Sequence, residues 1–454
     1  MNTLHVDLDL IRKYNVPAPR YTSYPPATRF AEIDAETMLE RIRADDQSTR
    51  DLSLYFHLPF CQTLCWFCGC TTVITTKQES SGAYIDYLDR EITSMAGMMN
   101  PARKVAQLHF GGGTPTFLRP DEIRRLGQLI RSRFTYAQDI EAGVEIDPRR
   151  VVRDHITALR EAGFNRASLG VQDFNPEVQK AIHRIQSKEE TERTIQWLRE
   201  EGFVSLNIDL IYGLPHQTVG SFEQTLNDVL KLKPDRFAVF NYAHVPWLKP
   251  AQNILKALPA PEVKLEMLKH TIEHLTSSGY VYIGMDHFAR EDDELAVAQR
   301  NKTLQRNFQG YSTRGETDIY AFGMSSISQT SDAYWQNQKE LDKYYHALDS
   351  NQSPISKGYV LTDDDKIRRQ VIMRLMCDMS MDFAALSESA GIDFTSYFST
   401  ELNSLSDLEA DGLITTNEGG LVVTELGRLL IRNIAVRFDA YNAKRTETAF
   451  SKSI

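Results

Sequence analysis

The sequence has few cysteines, no excess of basic residues and no long apolar run. Only five of its 454 residues are cysteine. Acidic residues exceed basic ones and give a net charge of −10, which disfavours a general nucleic-acid or membrane-surface binder. No apolar run approaches about 18 residues, the length of a membrane span, and residues 1–15 lack the pattern of a signal peptide. We therefore expect a cytoplasmic protein, in which clustered thiols stay reduced and more often hold metal than form disulfides. Nothing in the sequence demands an oligomer, so a monomer is expected.

Strand-like and helix-like segments alternate from residue 52 onward. Each of six apolar, β-branched or aromatic runs is followed by helical spacing of apolar residues. The six runs are LSLYFHLP, VAQLHF, AGVEID, RASLGVQ, SLNIDLIYG and RFAVFNYAHV. This alternation predicts an α/β fold with right-handed crossovers and a parallel sheet. Six units are too few for the closed eight-stranded barrel and favour a partial (β/α)6 barrel, with ligands at the carboxyl ends of the strands.

Two other regions interrupt the alternation and suggest three domains. Residues 1–50 contain PAPRYTSYPPATRF, too irregular for a helix, and we expect this segment to cover the mouth of the barrel. Residues 51–350 would form the barrel and its extension. Residues 358–454 predict a small, mostly helical, winged-helix-like domain with a hairpin in LITTNEGGLVV. From Gly358 onward acids outnumber Lys plus Arg by 15 to 10, so packing on the barrel is favoured over DNA binding.

Four of the cysteines lie in CQTLCWFCGC, residues 61–70, directly after the first predicted strand. Zinc usually takes two pairs of ligands from separated sequence, and a redox dithiol needs only C-x2-C. An iron–sulfur cluster accepts thiolates from one short loop. If Cys61, Cys65 and Cys68 bind three irons of a four-iron cluster, the fourth iron stays open. The spacing favours the cluster, with zinc and a redox dithiol as alternatives. The fifth cysteine, Cys377, has the apolar helical spacing of a core residue.

Glycines and acids end two further predicted strands. The run from Gly111 to Thr114 ends the second strand, where glycines let backbone carbonyls approach an ammonium group; a plain tight turn is the alternative. Glu145 ends the third strand and could accept hydrogen bonds from ribose hydroxyls, although such acids are often helix caps. Asp209 lies in an apolar strand, so its carboxylate needs a partner, which a cofactor hydroxyl or ammonium would supply.

Other candidate residues lie at the same predicted end of the sheet. Gln172 ends the fourth strand and Ala243 the sixth, and Arg184 is expected in the helix after the fourth strand. Tyr55 lies on the first strand, with core packing as the alternative.

The pattern C-x3-C-x-aromatic-C, formed by Cys61, Cys65, Phe67 and Cys68, resembles that of the radical S-adenosylmethionine enzymes. The resemblance implies a 4Fe-4S cluster whose open iron is chelated by the methionine moiety of S-adenosylmethionine. It also implies a 5′-deoxyadenosyl radical that takes a hydrogen atom from the substrate. Cys70 would then not be a ligand, because a fourth thiolate would close the open iron.

Motifs along nearly the whole chain narrow the resemblance. They are PRYTSYP, YFHLPFCQTLCWFCGC, LHFGGGTPTFL, EIDPR, GVQDFN, NIDLIYGLP, FNYAHVP, GMDHFA and QGYSTRGETD. Together they resemble the oxygen-independent coproporphyrinogen III oxidases, or coproporphyrinogen dehydrogenases, of anaerobic haem (porphyrin) biosynthesis. The resemblance implies oxidative decarboxylation of the propionates on rings A and B of coproporphyrinogen III, which yields protoporphyrinogen IX. It also implies an electron donor for the cluster and an electron acceptor, neither of which the sequence identifies.

The resemblance further implies that two S-adenosylmethionine molecules bind, with Tyr55 and Glu145 as catalytic candidates. The residues implied for the first molecule are Tyr55, Gly112, Glu145 and Ile327. Those implied for the second are Phe67, Gly113, Thr114, Gln172, Arg184, Asp209 and Ala243. The chain departs from the family at His183, where Asn is usual.

A tetra-anionic substrate requires a local positive pocket in this acidic protein. We predict that Arg20, in PRYTSYP, supplies part of it, with packing of the N-terminal segment as the alternative; Gln309, in QGYST, is a weaker candidate. A haem-binding chaperone on the same barrel is the alternative function, against which PRYTSYP and Cys70 argue. A DNA-binding regulator with a redox-sensing cluster is disfavoured by the C-terminal charge.

Overall fold

The computed structural model describes residues 8–45 and 47–441, which form two compact units. Of the described residues, the sheet unit comprises those in 30–259 and 316–360, and the terminal unit comprises residues 8–29, 260–315 and 361–441. Both units are therefore discontinuous in sequence.

The three predicted domains were continuous in sequence, whereas each of these units combines separated stretches of the chain. The predicted domain roles stay predictions. The parts of those segments at residues 1–7, 46 and 442–454 lie outside the described residues. Within residues 8–45 and 47–441, none of the helices combines the length and apolarity that a bilayer crossing requires.

The sheet unit contains the strands that the alternation predicted. Its strands are β1 (Ala31–Glu32), β2 (Leu52–Leu58), β3 (Phe60–Cys61), β4 (Val73–Ile74), β5 (Lys104–Gly112), β6 (Thr135–Ile146), β7 (Arg166–Gln172), β8 (Ser205–Tyr212), β9 (Arg236–Asn241), β14 (Asp318–Phe322), β15 (Ile327–Gln329), β16 (Ala333–Asn337) and β17 (Ile355–Val360). Its α-helices are α2 (Ala35–Ala44), α3 (Glu79–Ala96), α4 (Pro120–Arg133), α5 (Arg153–Glu161), α6 (Pro176–Ala181), α7 (Lys188–Glu200), α8 (Val219–Lys231) and α11 (Leu341–Asp349).

The main sheet of this unit is mixed rather than purely parallel. Its strand order is β1-β17-β16-β15-β14-β2-β5-β6-β7-β8-β9. The pairs from β14 through β2 to β9 are parallel, whereas β15, β16, β17 and β1 add antiparallel strands beside β14. The six predicted strands are thus consecutive parallel neighbours, as expected. The sheet extends beyond them, because the chain after residue 325 returns as short antiparallel strands that the alternation did not predict.

Local sequence explains why these elements form where they do. Strand β2 is buried at six of its seven positions, as expected for a parallel strand covered on both faces. Helix α7 begins at a capping box, in which Ser187 Oγ accepts from the Glu190 N–H at 3.1 Å and Glu190 Oε2 accepts from the Ser187 N–H at 2.9 Å. This cap fixes the residue at which the loop before α7 ends and the helix begins.

The N-terminal part of the chain is more regular than predicted. It contains α1 (Leu8–Tyr14) in the terminal unit and α2 in the sheet unit, which the sequence did not predict. The stretch PAPRYTSYPPATRF between them contains no α-helix, as expected. Asp34 caps α2 by accepting from the Glu36 N–H at 3.1 Å, a start signal that the sequence carries.

The terminal unit is mostly helical. Its remaining helices are α9 (Pro261–Ser277), α10 (Glu294–Arg300), α12 (Asp363–Asp378), α13 (Phe383–Ala390), α14 (Phe394–Tyr397), α15 (Ser399–Asn403), α16 (Ser406–Ala410), α17 (Glu425–Leu429) and α18 (Ile431–Ala435). Its strands are β10 (Tyr280–Gly284), β11 (His287–Arg290), β12 (Gln305–Asn307), β13 (Gly310–Ser312), β18 (Ser380–Asp382), β19 (Ile414–Asn417) and β20 (Gly420–Val423). The predicted hairpin is present as β19 and β20, joined by Glu418 and Gly419. Cys377 is fully buried in an apolar cluster, as predicted.

Candidate active site

The cysteine loop lies directly after β2, at the carboxyl end of the parallel strands. Its two ends are held together by the short parallel pair of β3 and β4, and the Cys68 N–H donates to the Cys65 carbonyl at 3.1 Å in a tight turn. A second backbone hydrogen bond, from the Trp66 N–H to the Ile182 carbonyl at 3.0 Å, joins the loop to the end of α6. The loop is therefore a folded structure fixed at both ends.

Side chains from two neighbouring segments fix the loop further. The Trp66 indole stacks on the His183 ring with centroids 4.9 Å apart, and His183 Nδ1 lies 2.9 Å from the Leu64 carbonyl. His183, where the sequence departs from the family pattern, thus supports the loop through its ring.

The far end of the loop is bound by the segment after β9. Lys249 Nζ donates to the Cys70 carbonyl at 2.6 Å, and Gln252 Nε2 donates to the Phe67 carbonyl at 3.0 Å. The Phe67 ring packs against an apolar cluster that includes Ile182. The backbone on either side of Cys68 is held by these contacts.

Two guanidinium groups contact the sulfur of Cys65. Arg149 Nη2 lies 3.5 Å and Arg184 Nη1 lies 3.7 Å from Cys65 Sγ. Both arginines also donate to Asp147 Oδ2, at 2.6 and 3.2 Å. Burial opposes ionisation of Asp147, but Arg184 and Arg149 lower its pKa to about 2.

The other thiols differ in their surroundings. Cys61 Sγ lies 3.3 Å from Thr114 Oγ1, and burial raises the pKa of Cys61 to about 11. Hydrogen bonding from Cys70 lowers the pKa of Cys68 to about 6, and the Cys70 N–H lies 3.4 Å from Cys68 Sγ. All of these cysteines are free thiols. Three soft donors in one fixed loop, one of them beside two cations, fit an iron–sulfur cluster.

The glycine run at the end of β5 permits close packing beside the loop. Gly112 has φ +114°, and a Cβ atom there would lie 2.7 Å from the His57 ring. A Cβ atom at Gly113 would lie 2.4 Å from the Pro59 carbonyl oxygen. Only glycine fits at these two positions. Their close neighbours belong to the chain that leads into the cysteine loop, and the predicted approach of backbone carbonyls to an ammonium group stays a prediction.

Glu145 lies on β6 beside this glycine run. Its Oε2 accepts from the Gly112 N–H at 3.1 Å, and its Oε1 lies 3.5 Å from His109 Nε2. Burial opposes ionisation, but His109 and Gly112 lower the pKa of Glu145 below its usual value. The Tyr55 ring stacks on His109 with centroids 5.8 Å apart, and Tyr55 Oη lies 3.2 Å from His57 Nδ1. A carboxylate, two imidazoles and a phenol thus form one group.

Asp209 finds its partners within the protein. It accepts from Ser168 Oγ at 2.9 Å and from Asn207 Nδ2 at 2.7 Å. Burial, followed by the charge of Glu145, raises the pKa of Asp209 to about 6. Two acids that repel each other at one end of the sheet favour a cationic ligand such as an ammonium or sulfonium. The predicted contact of Asp209 with a cofactor stays a prediction.

Gln172 and Arg184 lie close together beside Gly170. Gln172 ends β7 with φ +67°, and Arg184 Nη2 donates to the Gly170 carbonyl at 2.6 Å. Arg184 does not lie in a helix as expected: α6 ends at Ala181, and Arg184 follows in the connection to α7. This backbone position turns the guanidinium inward, where it is 7% exposed.

The remaining candidates of the sheet unit lie at element ends. Ala243 is exposed and lies two residues beyond β9, which ends at Asn241, so the expectation that it ends the sixth strand is wrong. Ile327 is half-buried and begins β15. Their predicted cofactor contacts stay predictions.

Arg20 and Gln309 belong to the terminal unit. The Arg20 guanidinium donates to Asp286, and the Gln309 N–H donates to Asn307 Oδ1 at 2.8 Å. Gln309 is considered below as a substrate residue, and the predicted role of Arg20 in substrate binding stays a prediction.

Sequence reasoning missed four functional residues that the structure places beside the predicted ones: His57, His109, Asp147 and Arg149. Asp147 and Arg149 lie in the quoted EIDPR motif, immediately after β6. Their position at the carboxyl end of a parallel strand was the available signal.

Comparisons with known proteins agree with this geometry. The model of the "Radical SAM superfamily" matches residues 55–229, and that of the "HemN C-terminal domain" matches residues 361–430. The oxygen-independent coproporphyrinogen III oxidase of Escherichia coli (strain K12) is 49% identical over 438 residues, which cover 96% of this chain and 95% of the relative. This chain belongs to the oxygen-independent coproporphyrinogen III oxidase family.

Two further matches support the assignment to this family. The family member from Synechocystis sp. is 46% identical over 460 residues and covers 100% of this chain and 99% of its own. A solved structure described as coproporphyrinogen III oxidase from Escherichia coli, a radical SAM enzyme, has a TM-score of 0.92 and 47% identity, and covers 97% of this chain and 100% of its own.

Family membership confirms the recognition made from the motifs. It also confirms the class of cofactors, an iron–sulfur cluster used with S-adenosylmethionine, and the general α/β fold with a mixed sheet and helices. The cysteines that would hold the cluster are Cys61, Cys65 and Cys68.

Proposed function

We propose that this chain catalyses the oxygen-independent oxidation of coproporphyrinogen III to protoporphyrinogen IX. The observation that carries the proposal is the cysteine loop at the carboxyl end of β2, in a chain that matches the E. coli enzyme over 96% of its length. Each propionate on rings A and B loses one hydrogen atom from its β-carbon, one carbon dioxide and one electron, and becomes a vinyl group. The electron passes to an acceptor, and the cluster receives its electron from a separate donor.

The cluster and S-adenosylmethionine together supply a 5′-deoxyadenosyl radical, which is the hydrogen-atom acceptor. We assign the protein's part to binding, orientation and exclusion of water. Cys61, Cys65 and Cys68 hold the cluster, and the open iron requires that Cys70 is not a ligand. Arg149 and Arg184 stabilise the charge on the sulfur of Cys65.

Two S-adenosylmethionine sites are part of the proposal. The first site would be formed by Tyr55, Gly112, Glu145 and Ile327. The Glu145 carboxylate lies beside His109, which helps to keep its pKa below the usual value. The second takes Phe67, Gly113, Thr114, Gln172, Arg184, Asp209 and Ala243. Close packing at the two glycines and the repulsion between Glu145 and Asp209 support these sites.

Finer features of fold and context belong to the same proposal. We assign the strands β2 and β5 to β9 to a partial (β/α)6 barrel, since they are consecutive parallel neighbours. The helices and hairpin after residue 361 are assigned to a winged-helix-like module. Monomeric state and cytoplasmic location stay predictions.

Anaerobic turnover tests the function directly. The cluster is reconstituted, S-adenosylmethionine, a reductant, an electron acceptor and coproporphyrinogen III are added, and protoporphyrinogen is measured by chromatography after oxidation. Product formation that requires all components supports the proposal. Haem binding without product would assign the chain to the chaperone class instead.

A further inference from the structure

The β12–β13 hairpin of the terminal unit, residues 305–312, carries two buried donors that the proposed reaction does not yet use. Arg306 is 5% exposed, and its Nη1 has no hydrogen-bond acceptor among the described residues. Gln309, at the turn of the same hairpin, has a buried Nε2 that likewise has no acceptor there. Buried polar groups are rarely left unpaired, because removing them from water costs free energy that a hydrogen bond normally offsets.

The contacts of Arg306 hold the side chain in place without neutralising it. Arg306 Nε donates to the Arg20 carbonyl at 3.3 Å, and the guanidinium lies 4.7 Å from the centroid of the Tyr311 ring. Arg306 and Tyr311 are direct partners across the hairpin. These contacts leave one edge of the guanidinium fork without a partner.

The nearest acid is already engaged by another arginine. Asp286 accepts from Arg20 and from no donor on Arg306. Burial, together with the like charge of Arg20, lowers the pKa of Arg306 below its usual value, although Tyr311 and Asp286 act in the other direction. Asp286 is thus one carboxylate that faces two arginines, and a buried guanidinium whose charge is only partly balanced suits the capture of an anion.

We propose that Arg306 and Gln309 bind a carboxylate of the substrate. The ligand class is a propionate side chain of coproporphyrinogen III, so this inference rests on the proposed function. A guanidinium fork pairs with a planar carboxylate through two parallel hydrogen bonds, and the Gln309 amide adds a third donor. Arg306 is a substrate-binding residue that the sequence motifs did not single out, although it lies three residues before QGYST.

Binding of coproporphyrin III, the oxidised and fluorescent form of the substrate, tests the proposal in the reconstituted full-length protein. Arg306→Met removes the charge, Arg306→Lys keeps it without the fork, and the control Arg300→Met removes an exposed arginine that also bonds a carbonyl, that of Glu291. Arg306→Met is expected to weaken binding roughly 10- to 100-fold, as for a lost hydrogen bond to a charged group. The affinity of Arg306→Lys for coproporphyrin III should lie between those of Arg306→Met and the wild type. The affinity of Arg300→Met should equal that of the wild type.

Two further readouts separate binding from a structural role. Wild-type protein should prefer coproporphyrin III over its uncharged tetramethyl ester, and Arg306→Met should lose most of that preference. The ligand-free Arg306→Met protein should melt at or above the wild-type temperature, because an unpaired buried charge has been removed. Unchanged affinity in a folded Arg306→Met protein overturns the proposal. Melting well below the wild type in both Arg306 variants also overturns it, since the arginine is then structural.

Failure of this inference is distinguishable from failure of the proposed function. A wild-type protein that binds coproporphyrin III but forms no protoporphyrinogen contradicts the enzyme assignment and leaves the Arg306 comparison intact. A wild-type protein that forms product, with an Arg306→Met variant of full affinity, contradicts only the carboxylate site.

Discussion

The arginines beside the cysteine loop of the sheet unit are paired with a carboxylate, whereas Arg306 in the β12–β13 hairpin of the terminal unit has no hydrogen-bonded carboxylate. Beside Cys65, the guanidiniums of Arg149 and Arg184 share Asp147, so the charge is balanced within the unit. In the hairpin, the Arg306 guanidinium contacts the Arg20 carbonyl and the Tyr311 ring. The carboxylate of Asp286 accepts its hydrogen bond from Arg20 instead.

This difference separates two kinds of site. A resident cofactor is held by groups that are already paired and rigid, so its site is complete in the protein alone. A substrate that leaves after each turnover is bound by donors whose pairing is incomplete until it arrives, at a cost in stability. Substitutions that remove a sulfur ligand or a charge partner test this difference between a cofactor site and a substrate site.

Removing a sulfur ligand is expected to have the largest effect. Cys65→Ala should lose most of the cluster iron and all product formation, because two thiolates do not retain a four-iron cluster with an open iron. Iron analysis and the visible absorption spectrum measure this.

Cys70→Ser is the matched control in the same loop. It should retain normal iron and a normal cluster spectrum, since Cys70 is not assigned as a ligand. Loss of iron from Cys70→Ser, with full iron in Cys65→Ala, would reverse the ligand assignment.

Removing Asp147, the acid that Arg149 and Arg184 share, should leave the positive charge beside Cys65 without a hydrogen-bonded carboxylate, as it is for Arg306 in the hairpin. Asp147→Asn leaves the buried guanidinium of Arg184 and the partly buried one of Arg149 without this carboxylate, which should lower the free energy of unfolding by about 3 kcal/mol at pH 7. Because the pKa of Asp147 is about 2 in the folded protein and about 3.9 unfolded, this contribution is present above pH 4 and is lost as the pH falls through 2. Denaturant unfolding at several pH values measures it.

Asp154→Asn provides the control for that experiment. Asp154 is an exposed acid of the same unit that pairs with Arg124, so its loss should change the free energy of unfolding by less than about 1 kcal/mol. Equal effects of the two substitutions would contradict a special role for the Asp147 pairs.

The charge of Asp209 should govern cofactor affinity more modestly. Its pKa of about 6 in the folded protein means that the carboxylate forms as the pH rises through 6. Affinity for S-adenosylmethionine should therefore increase across that range in the wild type. Asp209→Asn should remove this increase and weaken binding about tenfold at pH 8, corresponding to about 1.4 kcal/mol. Calorimetry with reconstituted protein tests it, and an unchanged pH profile in the variant would exclude Asp209 from the site.

The smallest effect is expected at His183. His183→Asn removes the stack on Trp66, which contributes about 0.5–1 kcal/mol for an aromatic pair, while cluster content should stay normal. Denaturant unfolding and iron analysis check both parts. A loss of iron from His183→Asn would contradict this expectation and show that cluster binding depends on the His183 ring.

The predictable parts of the molecule are those that local sequence determines. The strands β2 and β5 to β9 are continuous apolar runs between helical stretches, and the cysteine ligands share one short motif. The antiparallel strands after residue 325 are three to six residues long, too short for a pattern of their own. The division into units joins stretches far apart in sequence, which no local pattern contains.

The same limit applies to the side chains of the site. Arg184 was expected in a helix, but α6 ends at Ala181 and His183 has φ +56°, so the direction of Arg184 depends on a backbone turn that its neighbours stabilise. Arg149 and Arg306 are recognised only from their contacts, because an arginine in sequence is most often a solvated surface residue.

Transfer of a labelled hydrogen tests the central claim most directly. Coproporphyrinogen III carrying deuterium on the β-carbons of its propionates is incubated anaerobically with the reconstituted protein, S-adenosylmethionine, a reductant and an electron acceptor. Mass spectrometry should find deuterium in 5′-deoxyadenosine, together with protoporphyrinogen, and neither product with Cys65→Ala. Protoporphyrinogen accompanied by unlabelled 5′-deoxyadenosine, or cofactor cleavage without any decarboxylated product, would contradict the account.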